Sequence, residues 1–382
     1  NLRFEMKGPT SLQASVEGSI PMLTFCKDNE DMVLKGRRFQ GALQMEGERI
    51  DISLGELNLE YPRLTLSGRF KIDQKAPLLL IEVQAREVDV TSTREATLRL
   101  AGKIPVMNTI FDIVREGRIP FITFKSHGSR MSDLDDTERF SIKGNILGGT
   151  ISLPVRDASG NREDFIFEKA TGDVVVSRGI LEGRNISAQW KNQQLQEGTV
   201  RVGLEGEDAP LHAEVGFETD LSILPPLLYR LISDRVFQEE MAGFRQVEGR
   251  AAGRLVLGES LKSIGVNADI QEVNLVARYD RIPYPMTIDG GAVSFERRRL
   301  SVRNLSGRVG ASSFSELTGG IGFEREPSIE VSSGNLGVSL EEIYAWLSAY
   351  ESVRGALKNI QSVKGNVTLS GMRLKGPLGR PE

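Results

Sequence analysis

The residues able to do chemistry in this chain are few and scattered. Among 382 residues there are two histidines, His127 and His212, and one cysteine, Cys26. His127 stands beside Ser126, with Ser129 and Asp133 close behind. A hydrolytic triad needs a nucleophile, an oriented base and an oxyanion site. No Gly-x-Ser-x-Gly elbow accompanies these residues, so His127 reads as a solvated loop histidine. His212 follows Pro210 in an alternating stretch and reads as a surface strand residue. Neither has a second histidine or a cysteine at metal-ligand spacing. Asp133, Asp135, Asp136 and Glu138 form the densest acidic cluster. A calcium loop would add a turn glycine and a later ligand glutamate; both are missing, which leaves a solvated acidic loop. Arg297-Arg298-Arg299 could meet lipid phosphates, but between two alternating runs it reads as a charged hairpin turn that blocks edge association. There is no phosphate-binding glycine motif. Neither an enzyme, a cofactor nor a metal is expected.

The elements around these residues repeat. From Gly290 the chain reads as short alternating strands carrying Val293, Phe295, Leu300 and Val302, and then Ile321, Phe323, Ile329 and Val331. The period then changes. Ser339-Leu340-Glu341-Glu342 has the form of a capping box, and Ile343, Trp346, Leu347, Tyr350 and Leu357 follow at helical spacing. An earlier copy matches it. Leu181, Asn185, Ile186 and Ser187 correspond to Leu300, Asn304, Leu305 and Ser306 at a constant spacing of 119 (304 − 185). There too a helix follows, from Leu221, with Pro225 and Pro226 in its first turn and Leu224, Leu227, Leu228, Leu231 and Ile232 as its apolar stripe. Gln246-Val247-Glu248-Gly249 and Ser362-Val363-Lys364-Gly365 lead out of the two helices, and Ser141-Ile142-Lys143-Gly144 closes a fainter first copy. A repeat of roughly 105–130 residues is far longer than that of ordinary solenoids, so each copy must be a multi-strand module. The glycosylation-type triplets Asn185-Ile186-Ser187 and Asn304-Leu305-Ser306 recur because the module does; Asn366-Val367-Thr368 is a chance match.

Along the chain, residues 1–70 alternate: Leu2, Phe4 and Met6 share one face, and turns are expected near Gly47-Glu48, Gly55-Glu56 and Tyr61-Pro62-Arg63. Helix is expected over 92–116 with an interruption at Lys103-Ile104-Pro105, and Val106, Ile110 and Val114 make its stripe. Residues 126–138 read as loop, and Asp157-Ala158-Ser159-Gly160-Asn161 as a hairpin tip. Further helices are expected at 221–243 and 339–360. The fold class is mostly β: an elongated, curved antiparallel sheet of repeated modules with a few amphipathic helical insertions. The modules are residues 1–141, 142–246 and 247–362, with 363–382 opening another. The helical stripes are expected to cap each module's core; contact with a membrane is the alternative.

Net charge is −4 with interspersed signs, and no basic face favours nucleic acid. One cysteine excludes an internal disulfide. No run is apolar for the length of a membrane span. The chain opens on Asn1 in what reads as mid-strand and closes on a turn, as a piece of a longer protein would.

Gly-x-Val-x-Phe, then Leu-x-Val-x-Asn-Leu-x-Gly, a Val-x-Gly hairpin and Leu374-Lys375-Gly376-Pro377-Leu378 together resemble the AsmA-like superfamily, nearest its large AsmA/YhdP-type members and more distantly TamB. The resemblance spans essentially the whole chain, on soft motifs without a catalytic signature. It implies repeating β-groove modules in a periplasmic protein anchored to the inner membrane by a segment outside this chain. It further implies a bridge that conducts phospholipid toward the outer membrane, with acyl chains on an apolar concave face and headgroups in water. Composition agrees: aromatics are 6%, and the alternating apolar positions are mostly Val, Leu and Ile. Such a lining suits acyl chains, whose burial is worth about 0.8 kcal/mol per CH₂. The lining residues expected are Leu57, Leu59, Leu64, Leu66, Val174, Val176, Ile186, Val200, Val202, Leu255, Leu257, Val293, Phe295, Leu300 and Val302. On this reading Val176→Asp or Phe295→Asp abolishes lipid occupancy and leaves the β signal intact. The second reading is a non-transporting periplasmic β-scaffold that binds an envelope partner, such as outer-membrane assembly factors, through its edges or helices. A carbohydrate-active enzyme comes third and would need paired carboxylates across a cleft.

Overall fold

The computed structural model describes residues 2–8, 11–19, 22–27, 30–101, 105–134, 136–156, 161–191, 193–206, 208–232, 234–324, 327–349, 351–357, 359–360 and 362–377. Seven strands come first: β1 (Leu2–Gly8), β2 (Ser11–Gly18), β3 (Leu23–Lys27), β4 (Glu30–Glu46), β5 (Arg49–Tyr61), β6 (Leu64–Asp73) and β7 (Leu78–Asp89). Helices α1 (Val90–Ala101) and α2 (Pro105–Ile113) follow. Then come β8 (Val114–Gly128), β9 (Phe140–Arg156), β10 (Arg162–Ser177), β11 (Ile180–Trp190), β12 (Gln193–Gly203) and β13 (Leu211–Asp220), leading to α3 (Leu224–Leu231) and α4 (Arg235–Ala242). The rest is β14 (Phe244–Glu259), β15 (Ile264–Tyr279), β16 (Ile282–Asp289), β17 (Ala292–Glu296), β18 (Arg299–Val309), β19 (Ser312–Gly322) and β20 (Ser328–Ser339), then α5 (Leu340–Ser348), α6 (Glu351–Leu357), β21 (Asn366–Leu369) and β22 (Leu374–Pro377). Strand accounts for 68% and helix for 15%, so the protein is mostly β.

Contacts divide the chain into two compact units. One is Asn1–Val155 with Asp164–Ala213, and the other is Arg156–Glu163 with Glu214–Glu382. In the first, β2 joins β1 to β4, and β4 through β9 pair in sequence, every pair antiparallel. β11 lies between β10 and β12. In the second unit β15 pairs with β14 on one side and with both β16 and β17 on the other. β16 and β17 are one strand interrupted at Gly290-Gly291, and both pair onward with β18. The ladder continues through β19 and β20 to β21 and β22.

A bulge recurs in one strand of each copy, and it explains how the apolar face is kept. Strict alternation would put residues three apart on opposite faces. The ladder slips once between Leu54 and Leu57, between Gly183 and Ile186, and between Val302 and Leu305. An extra residue there returns the next apolar side chain to the same side. Gly55-Glu56 is therefore a bulge inside a continuous β5 and not the expected turn. The turns at Gly47-Glu48, Arg178-Gly179 and Arg297-Arg298 are real, and each begins with a positive φ.

Each helical insertion is a pair of short helices. α1–α2 projects from the end of the β7–β8 hairpin, where Asp89 pairs with Arg118, and α5–α6 from the end of β20–β21, where Ser339 pairs with Asn366. Residues 114–116 belong to β8 and not to the helix. Asp89 caps α1 by accepting from the Ser92 amide at 2.8 Å, Asp220 accepts from the Ser222 amide at 2.9 Å, and Asp234 caps α4 through the Phe237 amide at 3.0 Å. The capping box at Ser339 does not form. The Ser339 side chain makes no cap bond, and Glu342 instead accepts from the Ala311 amide at 2.8 Å, tying α5 to the β18–β19 turn. The Lys103-Ile104 break, the 157–160 tip, Asp135, Glu326, Tyr350 and Leu378 lie outside the described residues, as do the side chains of Cys26, Val106 and Leu231.

Candidate functional site

Most of the expected lining residues fall into packed clusters, two in each unit. Leu59 and Leu64 are buried with Ala85 and Val88, and Leu57 and Leu66 pack against them. Val176 is 2% exposed in a cluster with Ile113, Phe140, Leu181 and Leu204, and Val174 and Val200 pack around it. Met107 and Ile110 of α2 close that cluster from the helix side. Val202 is 1% exposed, opposite Leu181. Ile186 is half-buried and fills the space over Gly172, Gly183 and Gly198.

In the second unit Val293 and Val302 pack against buried Leu221, Ala251, Ile270, Val273, Ile288 and Leu305. Phe295 belongs to an aromatic cluster with Phe237 and Phe323, in which the Phe295 and Phe323 rings each lie 5.1 Å from the Phe237 ring, centroid to centroid. Leu300 packs there too, under Leu228 and Ile232 of the α3 segment and Val236 and Met241 of α4. Leu255 and Leu257 on β14 are half-buried, pair with Ala268 and Val266, and join none of these clusters.

So the apolar face exists, and much of it is covered by the protein's own side chains. Leu59, Leu64, Val176, Val202 and Phe295 are buried by protein atoms. Helical residues cover three of the clusters, through Met107 and Ile110 of α2, Leu221 and Leu224, and Leu228, Val236 and Met241 of α3 and α4, while the Leu59–Leu64 cluster is closed by strand residues and the α5 stripe joins none of them. Full burial of a Leu, Val or Phe side chain is worth about 1.5–3 kcal/mol, so each capped cluster stabilises its unit substantially.

The opposite face of the first unit is ionic. Asp51 on β5, Arg69 on β6, Glu82 on β7 and Lys125 on β8 stand on consecutive strands. Arg69 pairs with Asp51, and Lys125 with Glu82 at 2.9 Å. The Arg69 guanidinium holds the Asp51 carboxyl below the ordinary range, and Lys125 does the same for Glu82. Exposed pairs of this kind contribute little stability. They keep the face charged and wet.

The residues first considered for chemistry are placed apart. Ser126 and His127 are neighbours at the end of β8, so their side chains take opposite faces. Ser126 is buried and donates to the Leu134 carbonyl at 2.9 Å, while His127 is exposed. The 126–138 stretch is thus not all loop. Asp133 closes a short helical turn by accepting from the Ser129 and Arg130 amides at 2.8 and 3.0 Å and pairing with Arg139. His212 is an exposed residue of β13. No three His, Cys, Asp or Glu side chains among the described residues could share a metal. Arg297 pairs with Glu296 at 3.7 Å, Arg298 with Asp234 at 3.3 Å and Arg299 with Glu330 at 3.2 Å, so all three members of the arginine turn are engaged within the chain.

Sequence reasoning missed one cluster. Glu240 of α4 is 6% exposed and is the one buried charged residue among the described residues. Tyr279 donates its hydroxyl to Glu240, and Arg281 holds the same carboxylate through Nε, at 3.1 Å, and Nη2. Burial, then the Glu240 hydrogen bond, pushes the Tyr279 phenol well above its ordinary range, and the Glu240 hydrogen bond raises Arg281. The signal was a glutamate at i+3 from Phe237, on the buried side of an amphipathic helix. Its partners lie 39 and 41 residues away.

No protein-family model matches the chain, and comparison with curated proteins and with solved structures finds no match. Among the described residues no helix is long and apolar enough to cross a membrane.

Proposed function

We propose that this chain is the periplasmic part of an envelope protein that binds phospholipid acyl chains along the apolar face of its sheet and conducts them between inner and outer membranes. The observation that carries the reading is the bulge repeated at Leu54/Leu57, Gly183/Ile186 and Val302/Leu305, which keeps aliphatic side chains on one side of the ladder in three successive copies. An ordinary core needs one such face; a conduit needs the face to be built again and again. The AsmA-like motifs of the sequence supply the compartment and the membranes, by analogy alone. On this reading Leu255 and Leu257, half-buried and outside the capped clusters, contact the lipid first, and the helix pairs must yield for it to pass Val176 and Phe295.

Burial of Val176, Val202 and Phe295, the two valines almost completely, favours a second reading, in which the face is a closed core and the chain is a scaffold. Gentle native mass spectrometry with lipid extraction separates the two. Under the first, phospholipid co-purifies and Leu257→Asp displaces it, because a charge in the acyl path is costly to desolvate. A folded wild-type protein that carries no lipid, and takes none from vesicles, sinks the conduit.

A further inference from the structure

Two helix pairs obey one rule of placement: each covers strands of the copy that comes after its own. Met107, Ile110 and Ile113 of α2 pack on Val176 and Leu181. Leu228 of α3 and Val236, Phe237 and Met241 of α4 pack on Ala268, Phe295, Leu300 and Ile321. Those four form one row, directly paired from β15 through β17 and β18 to β19. The first copy has the same row. Leu12, Met45, Ile50 and Ile72 are directly paired from β2 through β4 and β5 to β6. The turns at Gly47-Glu48 and Arg297-Arg298 align the two rows, Met45 with Phe295 and Ile50 with Leu300. Met6 on β1, 76% exposed, extends the first row through its pairing with Leu12. The four residues are half-buried, and among the described residues none of the five belongs to a packed cluster.

The opposite deficit lies in α5–α6. Leu347 stands where Leu228 does (347 − 228 = 119). Val353 and Leu357 stand where Phe237 and Met241 do (353 − 237 = 116, 357 − 241 = 116), the spacing that also relates Val247 to Val363. These side chains are half-buried and, with Ile343 and Trp346, enter no packed cluster among the described residues. The chain therefore carries a helix pair without its strands and a strand row without its helix pair. They are the two halves of a contact that it makes twice internally. Apolar surface of this extent marks a place of association. We propose that α5–α6 of one copy of this chain caps the Met45–Ile50–Ile72 face of a second copy, repeating between molecules the contact of α3–α4 with Phe295 and Leu300. The contact is heterologous, since each molecule offers a different surface. It stands apart from the acyl-chain reading, because both partners are protein side chains and lipid-free protein suffices to test it.

Analytical ultracentrifugation of delipidated protein from about 1 to 200 µM reads the association, and the weight-average mass should rise with concentration. Ile72→Glu and Leu347→Glu should each weaken it at least about tenfold, because each places an unpaired carboxylate in the contact. Val276→Glu, at a 48% exposed position outside both surfaces, should change nothing. Mixing decides the geometry. Ile72→Glu keeps its helix pair and Leu347→Glu keeps its strand row, so the two together should form a 1:1 complex that grows no further. Far-UV circular dichroism confirms that each variant is folded, and Met45→Glu serves in place of Ile72→Glu if that variant is not. Wild-type protein that stays monomeric across the range overturns the proposal. So does association that folded Leu347→Glu retains, that Val276→Glu weakens as much, or that mixing the two monomeric variants fails to restore.

Discussion

Asn185 and Asn304, 119 residues apart in sequence, adopt the same left-handed backbone, each with φ 53°. The match extends to their neighbours. Arg178 and Arg297 open the preceding turns at φ 51° and 47°, and Glu197 and Glu316 share φ 52° on the following strands. β11 and β18, and β12 and β19, begin and end at equivalent residues. Two stretches with little sequence in common therefore fold by the same sequence of bends.

Asparagine tolerates the left-handed region better than branched residues do. Asn304→Gly should leave stability within a few tenths of a kcal/mol, and Asn304→Val should lower it by roughly 1–2 kcal/mol. Thermal unfolding followed by circular dichroism reads both. Equal effects would mean that the bulge is not set by this residue.

Gly249, in β14 after α4, has φ 137°, and a Cβ there would meet the Asn274 carbonyl oxygen at 2.0 Å. Gly148 has φ 60° with nothing within 4 Å of such a Cβ. Gly148→Ala should cost about 1 kcal/mol, from backbone strain alone. Gly249→Ala should cost clearly more, because β14 must also move away from β15. Urea unfolding of the two variants side by side tests the ranking.

Phe237 is 2% exposed between Phe295 and Phe323. Phe237→Ala should destabilise the second unit by about 3–5 kcal/mol, the usual range for removing a buried ring. Hydrogen exchange of residues 234–242 should speed up first, since α4 has few other apolar anchors. If exchange there is unchanged, the aromatic cluster does not hold the helix down.

Acid should loosen the turn at Asp133 before it touches the sheets. Backbone hydrogen bonds from Ser129 and Arg130 hold that carboxyl below its ordinary value, and backbone bonds from Ala76 and from Ser222 do the same for Asp73 and Asp220. A depressed folded value means that the contribution is complete above the unfolded value, about pH 4, and is lost as pH falls through the folded one. Amide signals of Ser129 and Arg130 followed by NMR below pH 4 should shift with the Asp133 carboxyl, and Asp133→Asn should abolish that titration.

Much of the fold was legible because it is local. Alternation located the strands, and the Pro225-Pro226 start and helical stripes located the insertions. The turns at Gly47 and Arg297 were legible where a glycine and a charge cluster mark them, and the one at Arg178 was not read. Gly55-Glu56 misled because a bulge and a turn use the same residues; what separates them is whether the partner strand continues alongside. Ser339 and Glu342 misled because Glu342 found the Ala311 amide, 31 residues away. The Glu240 cluster was beyond reach for the same reason, as its members meet only once β15 has paired with β14 and α4 has folded down. Alternation marked apolar positions but not what covers them, since it reads the same for a filled face as for an empty one.

The equivalence of the β11–β12 and β18–β19 hairpins also has a genetic consequence. A crossover joining the codon for Asn185 to that for Asn304 removes 119 residues in frame, and the reciprocal product gains them. In either product the strand lengths, the turn and the bulge at the junction are unchanged. A gene built in this way can change the number of modules in its product while every intermediate still encodes complete hairpins.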